Sequence, residues 1–282
     1  MAIQILNGLV YGSLLYVLSV GLVLIFGLRR VVNFAHGGMF MIGGYVGYTV
    51  SATAGFGAGV LVSVLAMAVF GVLLDRFVFR QLQDHDPIVT VLVTFGILLV
   101  LEDVAKTVWG NEMLSLPMPQ ALSGVVMLGD TGFPVYRLFV VGVAIVVALG
   151  LGLWLRCSRA GLFVRAASVD PVTTGMQGVN TERLSAIVVG VGIGLAGLAG
   201  TVSAPLLALA PSIGASIVID AFIVVVTGGL TSFTGAFIAA MLIGQVHNWG
   251  VAFVPAAASL IPLLLMVCVL IWRPQGFGKS AA

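Results

Sequence analysis

Apolar residues run along this chain in blocks of up to about 25, broken by short polar or glycine-rich stretches. The blocks fall at roughly 3–28, 37–54, 57–79, 87–108, 136–156, 184–207, 215–230, 234–252 and 256–272. A helix needs about 20 apolar residues to cross the hydrocarbon core of a bilayer. The pattern therefore predicts an all-α, polytopic transmembrane bundle of eight to nine spans, one membrane domain over 1–282. The blocks 215–230 and 234–252 are short and joined by Gly228-Gly229-Leu230-Thr231-Ser232. They read either as two full spans or as a broken, re-entrant pair. Two longer polar loops interrupt the series, at 109–135 and 157–183. The first holds Pro117, Pro119, Pro134 and several glycines, and predicts a compact cap or a short helix.

Composition agrees with a membrane setting. The chain is 60% hydrophobic and only 8% charged, and its mean hydropathy is +1.21. A soluble domain carries about 25% charged residues; this chain has too few to cover a water-facing surface. Its 37 glycines among 282 residues are nearly twice the usual share of about 7%, and glycine lets membrane helices approach closely. Repeated small-xxx-small spacings, Gly8/Gly12, Gly43/Gly47 and Gly190/Gly194, then Gly197 and Gly200, point to such a bundle. The first block starts directly after Met1, without a basic region or a small-residue cleavage site, and is expected to remain as a span.

Charge sets the expected orientation. Of the 12 basic residues, Arg29, Arg30, Arg76, Arg80, Arg156, Arg159, Arg165, Arg183, Arg273 and Lys279 fall on one side of a nine-span path. Only Lys106 and Arg137 fall on the other. Lysine and arginine accumulate on the cytoplasmic side, so the 157–183 loop and the C-terminus are expected inside and Met1 outside. A net charge of +2 with no basic block gives no sign of nucleic acid. Cys157 and Cys268 lie in different segments without metal-ligand spacing, and neither a metal nor a cofactor is expected. Gly278-Lys279-Ser280 imitates the end of a phosphate-binding loop, but position 273, where that motif needs glycine, is Arg. Nothing in the sequence groups as a catalytic triad or as paired catalytic carboxylates, so an enzyme is not expected.

Several polar groups remain candidates. Asp170-Pro171 reads as a helix N-cap followed by proline at the first helical position, and Gly178 as a C-terminal glycine. A helix of about two turns over 171–177 follows, suited either to docking a partner or to an ordinary structured loop. Asn33-Phe34-Ala35-His36-Gly37-Gly38 is a polar break; it borders a substrate path, or it is a plain turn capped by His36. Glu102 and Lys106 are spaced to pair on one helix face, near a span end, with Asp103 beside them. Gln245, His247, Asn248 and Asp220 serve interhelical hydrogen bonds or line a path. The ionisable groups otherwise cluster near span ends, which disfavours a carrier with a mid-depth charge. The order of apolar run, polar break and small-residue helix recurs at 20–50 and 219–250; as a repeat, it would have Asn33 and His36 line one path with the region of Thr231–Gln245.

The stretches Gly21-Leu22-Val23-Leu24-Ile25-Phe26-Gly27 and Asn33-Phe34-Ala35-His36-Gly37 resemble the opening of the branched-chain amino acid ABC transporter permeases of the LivH type. So do, in order, Arg165-Ala166, Asp170, Gly178 and Arg183 with Leu195-Ala196-Gly197-Leu198-Ala199-Gly200, then Gly228-Gly229-Leu230-Thr231-Ser232 with Gly235-Ala236, then Arg273-Pro274-Gln275-Gly276. The likeness covers nearly the whole chain. It implies a permease subunit forming half the translocation path of an ATP-driven importer in a bacterial inner membrane. It also implies a second related permease chain, two cytoplasmic ATP-binding-cassette ATPases that carry out all ATP hydrolysis, and a periplasmic substrate-binding protein. Arg165, Asp170, Pro171, Gly178 and Arg183 would form the ATPase-coupling loop, and Asn33, His36, Gly37, Thr231, Gln245 and Asn248 the path. Pro171, Thr173-Thr174, His247 and the Thr-Ser-Phe-Thr break depart from the usual pattern, leaving open the choice among branched-chain amino acids, other amino acids, urea and amides. A stand-alone channel or secondary carrier for small polar solutes is the alternative.

Overall fold

The computed structural model describes residues 1–83, 85–128, 131–255, 258 and 260–278. Each apolar block forms a helix: α1 (Ala2–Arg29), α2 (Ala35–Ala54), α3 (Phe56–Leu74), α5 (Pro87–Trp109), α6 (Val135–Cys157), α9 (Thr181–Ser203), α10 (Ile213–Gly228), α11 (Phe233–Phe253) and α12 (Leu260–Trp272). A single π-turn, Asp75–Phe79, joins α3 to the three-residue α4 (Arg80–Leu82). Among the described residues, six helices are long and apolar enough to cross a membrane, in α1, α3 with its extension, α5, α6, α9 and α11. Glycine and polar residues dilute α2, and α10 and α12 are shorter, so the expected eight or nine full spans are not all met by length and composition. The expected start of the last block and the residues Lys279 and Ser280 lie outside the described residues.

Helices α1 and α9 are the most buried and form the centre, while α3, α5 and α6 leave most of their surface free. The glycine spacings act as the sequence predicts. A Cβ on Gly12 would stand 2.7 Å from the Ala240 carbonyl of α11, and one on Gly200 would stand 2.0 Å from the Phe40 carbonyl of α2. Side chains there would force the backbones apart. One end of the bundle gathers Arg29, Arg80, Arg156, Arg165 and Arg183, and is called the basic end below.

The path after α1 is unusual. Arg30 takes a left-handed conformation (φ 53°), and residues 30–34 turn back into the bundle. Thr94 of α5 holds this segment: its hydroxyl lies 3.3 Å from the Val32 carbonyl and accepts the Phe34 N–H, also at 3.3 Å. At the start of α2, His36 Nε2 lies 3.1 Å from the Leu18 carbonyl, a residue about 16 Å along α1 from its basic end. Helix α2 thus begins well inside the bundle, and its Gly37 packs on Gly214 of α10.

The loop expected to be a cap or a short helix is mainly a hairpin. After a 3-10 turn at Gln120–Leu122, β1 (Val125–Leu128) pairs antiparallel with β2 (Thr131–Pro134) in the register Val126↔Phe133. Four consecutive apolar residues, Val125-Val126-Met127-Leu128, suit a short strand but carry no period-two alternation that would stand out in so apolar a chain. Leu114 and Leu209 exchange backbone hydrogen bonds at 3.0 and 2.8 Å and tie this loop to the segment before α10.

Candidate functional site

At the basic end, the chain between α6 and α9 folds into α7 (Arg159–Val169) and α8 (Pro171–Met176). The sequence reading found α8 and missed α7, whose polar and apolar residues follow no span-like pattern. Ser158 caps α7 by accepting the Gly161 N–H at 2.9 Å. Asp170 caps α8, its Oδ1 accepting the N–H groups of Val172 and Thr173, both at 3.0 Å, and Pro171 occupies the first turn. The Thr173 hydroxyl also donates to Asp170, and with the backbone donors it holds that carboxyl below its ordinary range. Gly178 (φ 83°) reverses the chain, and Asn180 caps α9 through the Arg183 N–H. Arg165 donates to the Leu155 carbonyl and binds α7 to the end of α6. Arg165, Asp170, Pro171, Gly178 and Arg183 therefore share one compact module. Val172 and Met176, one turn apart on α8, are 65% and 82% exposed. Beside them a groove of about 490 Å³ runs between α7 and α9, lined by Phe163, Gln177, Gly178, Arg183 and Ile187.

Behind this module lies a charge cluster that the sequence did not reveal. Arg29 of α1 binds Asp75 of the π-turn through two nitrogens and donates also to Gln83, while Ser185 of α9 donates to Asp75 at 3.0 Å. Asp75 alone in an apolar block gave no sign of a partner 46 residues away. The pair expected between Glu102 and Lys106 does not form: Lys106 is exposed, and one Glu102 carboxylate oxygen is buried without a partner among the described residues. A long lysine stem reaches toward water more readily than it folds back along an apolar face.

The candidate path residues spread along the bundle. Asn33 and His36 are fully buried, and neither polar atom of the Asn33 side chain finds a partner among the described residues. Gly37 lies against α10 at that depth. Thr231 lines a hollow at the basic end with Phe26, Leu270, Pro274 and Gln275. Gln245 is about 18 Å along α11 from Phe233, where it donates to the Ile5 carbonyl at 2.8 Å, and Asn248 donates to the Gln4 carbonyl at 2.8 Å. The structure places Asn33, His36 and Gly37 together, and keeps Thr231 apart from Gln245 and Asn248.

Toward the end opposite the basic one, Asn248 also borders a cavity of about 200 Å³ with Asn7, Tyr11, Leu14, Arg137 and Leu206. Tyr11 donates its hydroxyl to Asp220 Oδ2 at 2.7 Å and stacks on His247 with ring centres 4.5 Å apart. Arg137 donates to Asn7 Oδ1 and lies over the Phe133 ring at 5.9 Å. Asp220 sits in the middle of α10, half-buried. This corrects the expectation that ionisable groups keep to span ends. A charged residue inside a span was the available signal, but sequence alone did not supply its partner on α1.

Comparison with known proteins bears on the chain as a whole. The family model described as "Branched-chain amino acid transport system / permease component" matches residues 4–270. The chain is 26% identical to the high-affinity branched-chain amino acid transport system permease protein BraD of Pseudomonas aeruginosa, over 97% of this chain and 94% of that one. It is 24% identical to the corresponding protein LivH of Escherichia coli strain K12, over 97% and 94%. It is also 24% identical to a probable LivH permease of Methanocaldococcus jannaschii, over 97% and 91%. No solved structure matches significantly.

Proposed function

Because the chain belongs to the family of permease components of branched-chain amino acid transport systems, we propose that it forms one half of the path of an ATP-driven importer whose cargo is a branched-chain or related amino acid. A second related permease completes the path, two cytoplasmic ATP-binding-cassette ATPases drive it, and a periplasmic binding protein delivers the solute. The basic end faces the cytoplasm of a bacterial inner membrane, C-terminus included, because arginine gathers there. The similar breaks after α1 and α10, each opened by a positive φ at Arg30 or Gly229, support an internal repeat with path residues at Asn33, His36, Gly37, Thr231, Gln245 and Asn248.

One observation carries the reading. The α8 helix, capped by Asp170, stands outside the spans at the basic end and presents Val172 and Met176 to solvent. Exposed apolar side chains beside Arg165 and Arg183 are the composition of a docking surface for a water-soluble partner. A helix seated on an ATPase in this way passes the closure of the ATPase pair into α9 and α6, and alternates access to the path.

The half-buried Asp220 favours one competing reading, a carrier energised by ion binding at that carboxylate. Proteoliposomes containing the purified assembly, supplied with labelled leucine, the binding protein and ATP on the ATPase side, separate the two. Leucine accumulation that requires ATP supports the importer. Accumulation driven by an ion gradient without ATP supports the carrier and refutes the importer.

A further inference from the structure

The cavity remote from the basic end holds a charge that has no counter-ion among the described residues. Arg137 is half-buried at the start of α6, its hydrogen-bond partner is the uncharged Asn7, and the ion pairs among the described residues are Arg29–Asp75 and Arg80–Glu182. A guanidinium drawn out of bulk water is stabilised by an anion, and its planar fork matches a carboxylate with two parallel hydrogen bonds. Across the same cavity Tyr11 has its proton committed to Asp220. Its oxygen is left to accept, with the Asp220 carboxyl directly behind it. That arrangement suits an ammonium group. Val10, Leu14, Leu206 and Leu207 complete the wall with aliphatic surface.

We infer that this cavity is a transient binding site for an amino-acid zwitterion on the outer side of the path, with the carboxylate on Arg137, the ammonium on the Tyr11–Asp220 pair and the side chain on the leucines. The inference rests on the importer reading above and adds to it a named selectivity site. A volume of about 200 Å³ is below the 300–1,000 Å³ usual for drug-sized ligands, and fits a small solute. Asn7 and Asn248 border the cavity without charge, so the groups that read the zwitterion come from α1, α6 and α10. Their positions explain why the site is absent from any single stretch of sequence. An Arg137 serving only lipid phosphates would have no need of Leu14, a buried residue of the central helix, beside it.

The test is the number of leucine molecules carried per ATP hydrolysed, measured on the co-purified assembly in proteoliposomes with leucine-loaded binding protein outside. Arg137→Gln keeps a donor for Asn7 and removes the charge; Arg137→Lys keeps the charge. The expected result is a loss of about tenfold or more in leucine per ATP for R137Q, with ATP hydrolysis still stimulated by the binding protein, and partial recovery in R137K. Asp220→Asn is expected to uncouple in the same way, and decides alone if R137Q does not assemble. An effect that appears only in vesicles containing anionic lipid assigns Arg137 to headgroups and overturns the site. Leucine per ATP unchanged in R137Q and D220N also overturns it, and leaves the importer reading standing. A wild-type assembly that hydrolyses ATP and carries no leucine refutes the amino-acid reading and the site together.

Discussion

Asp75 receives two nitrogens of Arg29, at 2.8 and 2.9 Å, with its side chain fully closed off from solvent. Ser185 adds a third donor from α9. Helices α1 and α9 and the π-turn after α3 are thereby fastened at one carboxylate. The pair sits on the only π-turn among the described residues, and such turns often mark sites of movement or function. Breaking a buried pair from one side strands the other charge, at a cost of about 3–5 kcal/mol. Arg29→Ala should therefore lower the unfolding temperature in detergent sharply. Arg29→Ala with Asp75→Asn should recover part of the loss, because the stranded charge is gone. Equal stability of the single and double variants would show that Asp75 is not left uncompensated.

The Asp170 cap gives a second prediction. Asp170→Ala removes the acceptor for two backbone N–H groups and should loosen the start of α8. Asp170→Asn keeps an acceptor and should retain most of the coupling, read as ATPase stimulation by the loaded binding protein. The carboxyl is held below its ordinary value by the Thr173 hydroxyl and the Thr173 and Val172 N–H groups. A depressed carboxyl stabilises the folded loop above its unfolded value, and that stability is lost as pH falls through the lower, folded value. Coupling should thus be flat near neutral pH and decline only in acid; a decline between pH 6 and 8, both well above the usual carboxylate value of about 3.9, would assign the effect to another group.

Exposed apolar residues on α8 give a third. Val172→Asp or Met176→Asp should leave the chain in the membrane with unchanged thermal stability, since neither residue is buried. The ATPase chains should no longer co-purify. Retention of both ATPases by the V172D/M176D double variant would move the docking surface elsewhere, with the groove at Phe163 and Ile187 next to be tested.

Glycines divide into two groups with opposite expectations. A Cβ on Gly200 or Gly21 would meet a facing carbonyl at 2.0 or 2.4 Å, whereas Gly96, Gly142 and Gly150 have nothing within 4 Å. Gly200→Ala should cost about 1–3 kcal/mol through overpacking. Gly150→Ala should be neutral or stabilise by up to about 1 kcal/mol, as expected for an exposed helical glycine. Similar effects of the two substitutions on unfolding temperature would contradict the close packing of α2 against α9.

The sequence showed what depends on local pattern. Helix positions followed from blocks of apolar residues, and the α8 cap followed from Asp170-Pro171 because capping is a matter of adjacent residues. What it hid depends on distant pairs. Arg29 looked like an orientation signal until Asp75 stood beside it, and Arg137 looked the same until Asn7 and Tyr11 shared its cavity. The hairpin at 125–134 escaped because four-residue strands have no contrast against an apolar background. The early start of α2 escaped because nothing in residues 30–34 tells how far they turn back into the bundle; Thr94, which holds them, lies on another helix.

The most direct measurement is purification of this chain from its native membrane in mild detergent, with every co-purifying chain identified and counted by mass spectrometry. One second permease and two ATPase chains for each copy of this chain are the expected result. A chain that runs alone, or only with copies of itself, and still transports in liposomes would contradict the importer assignment.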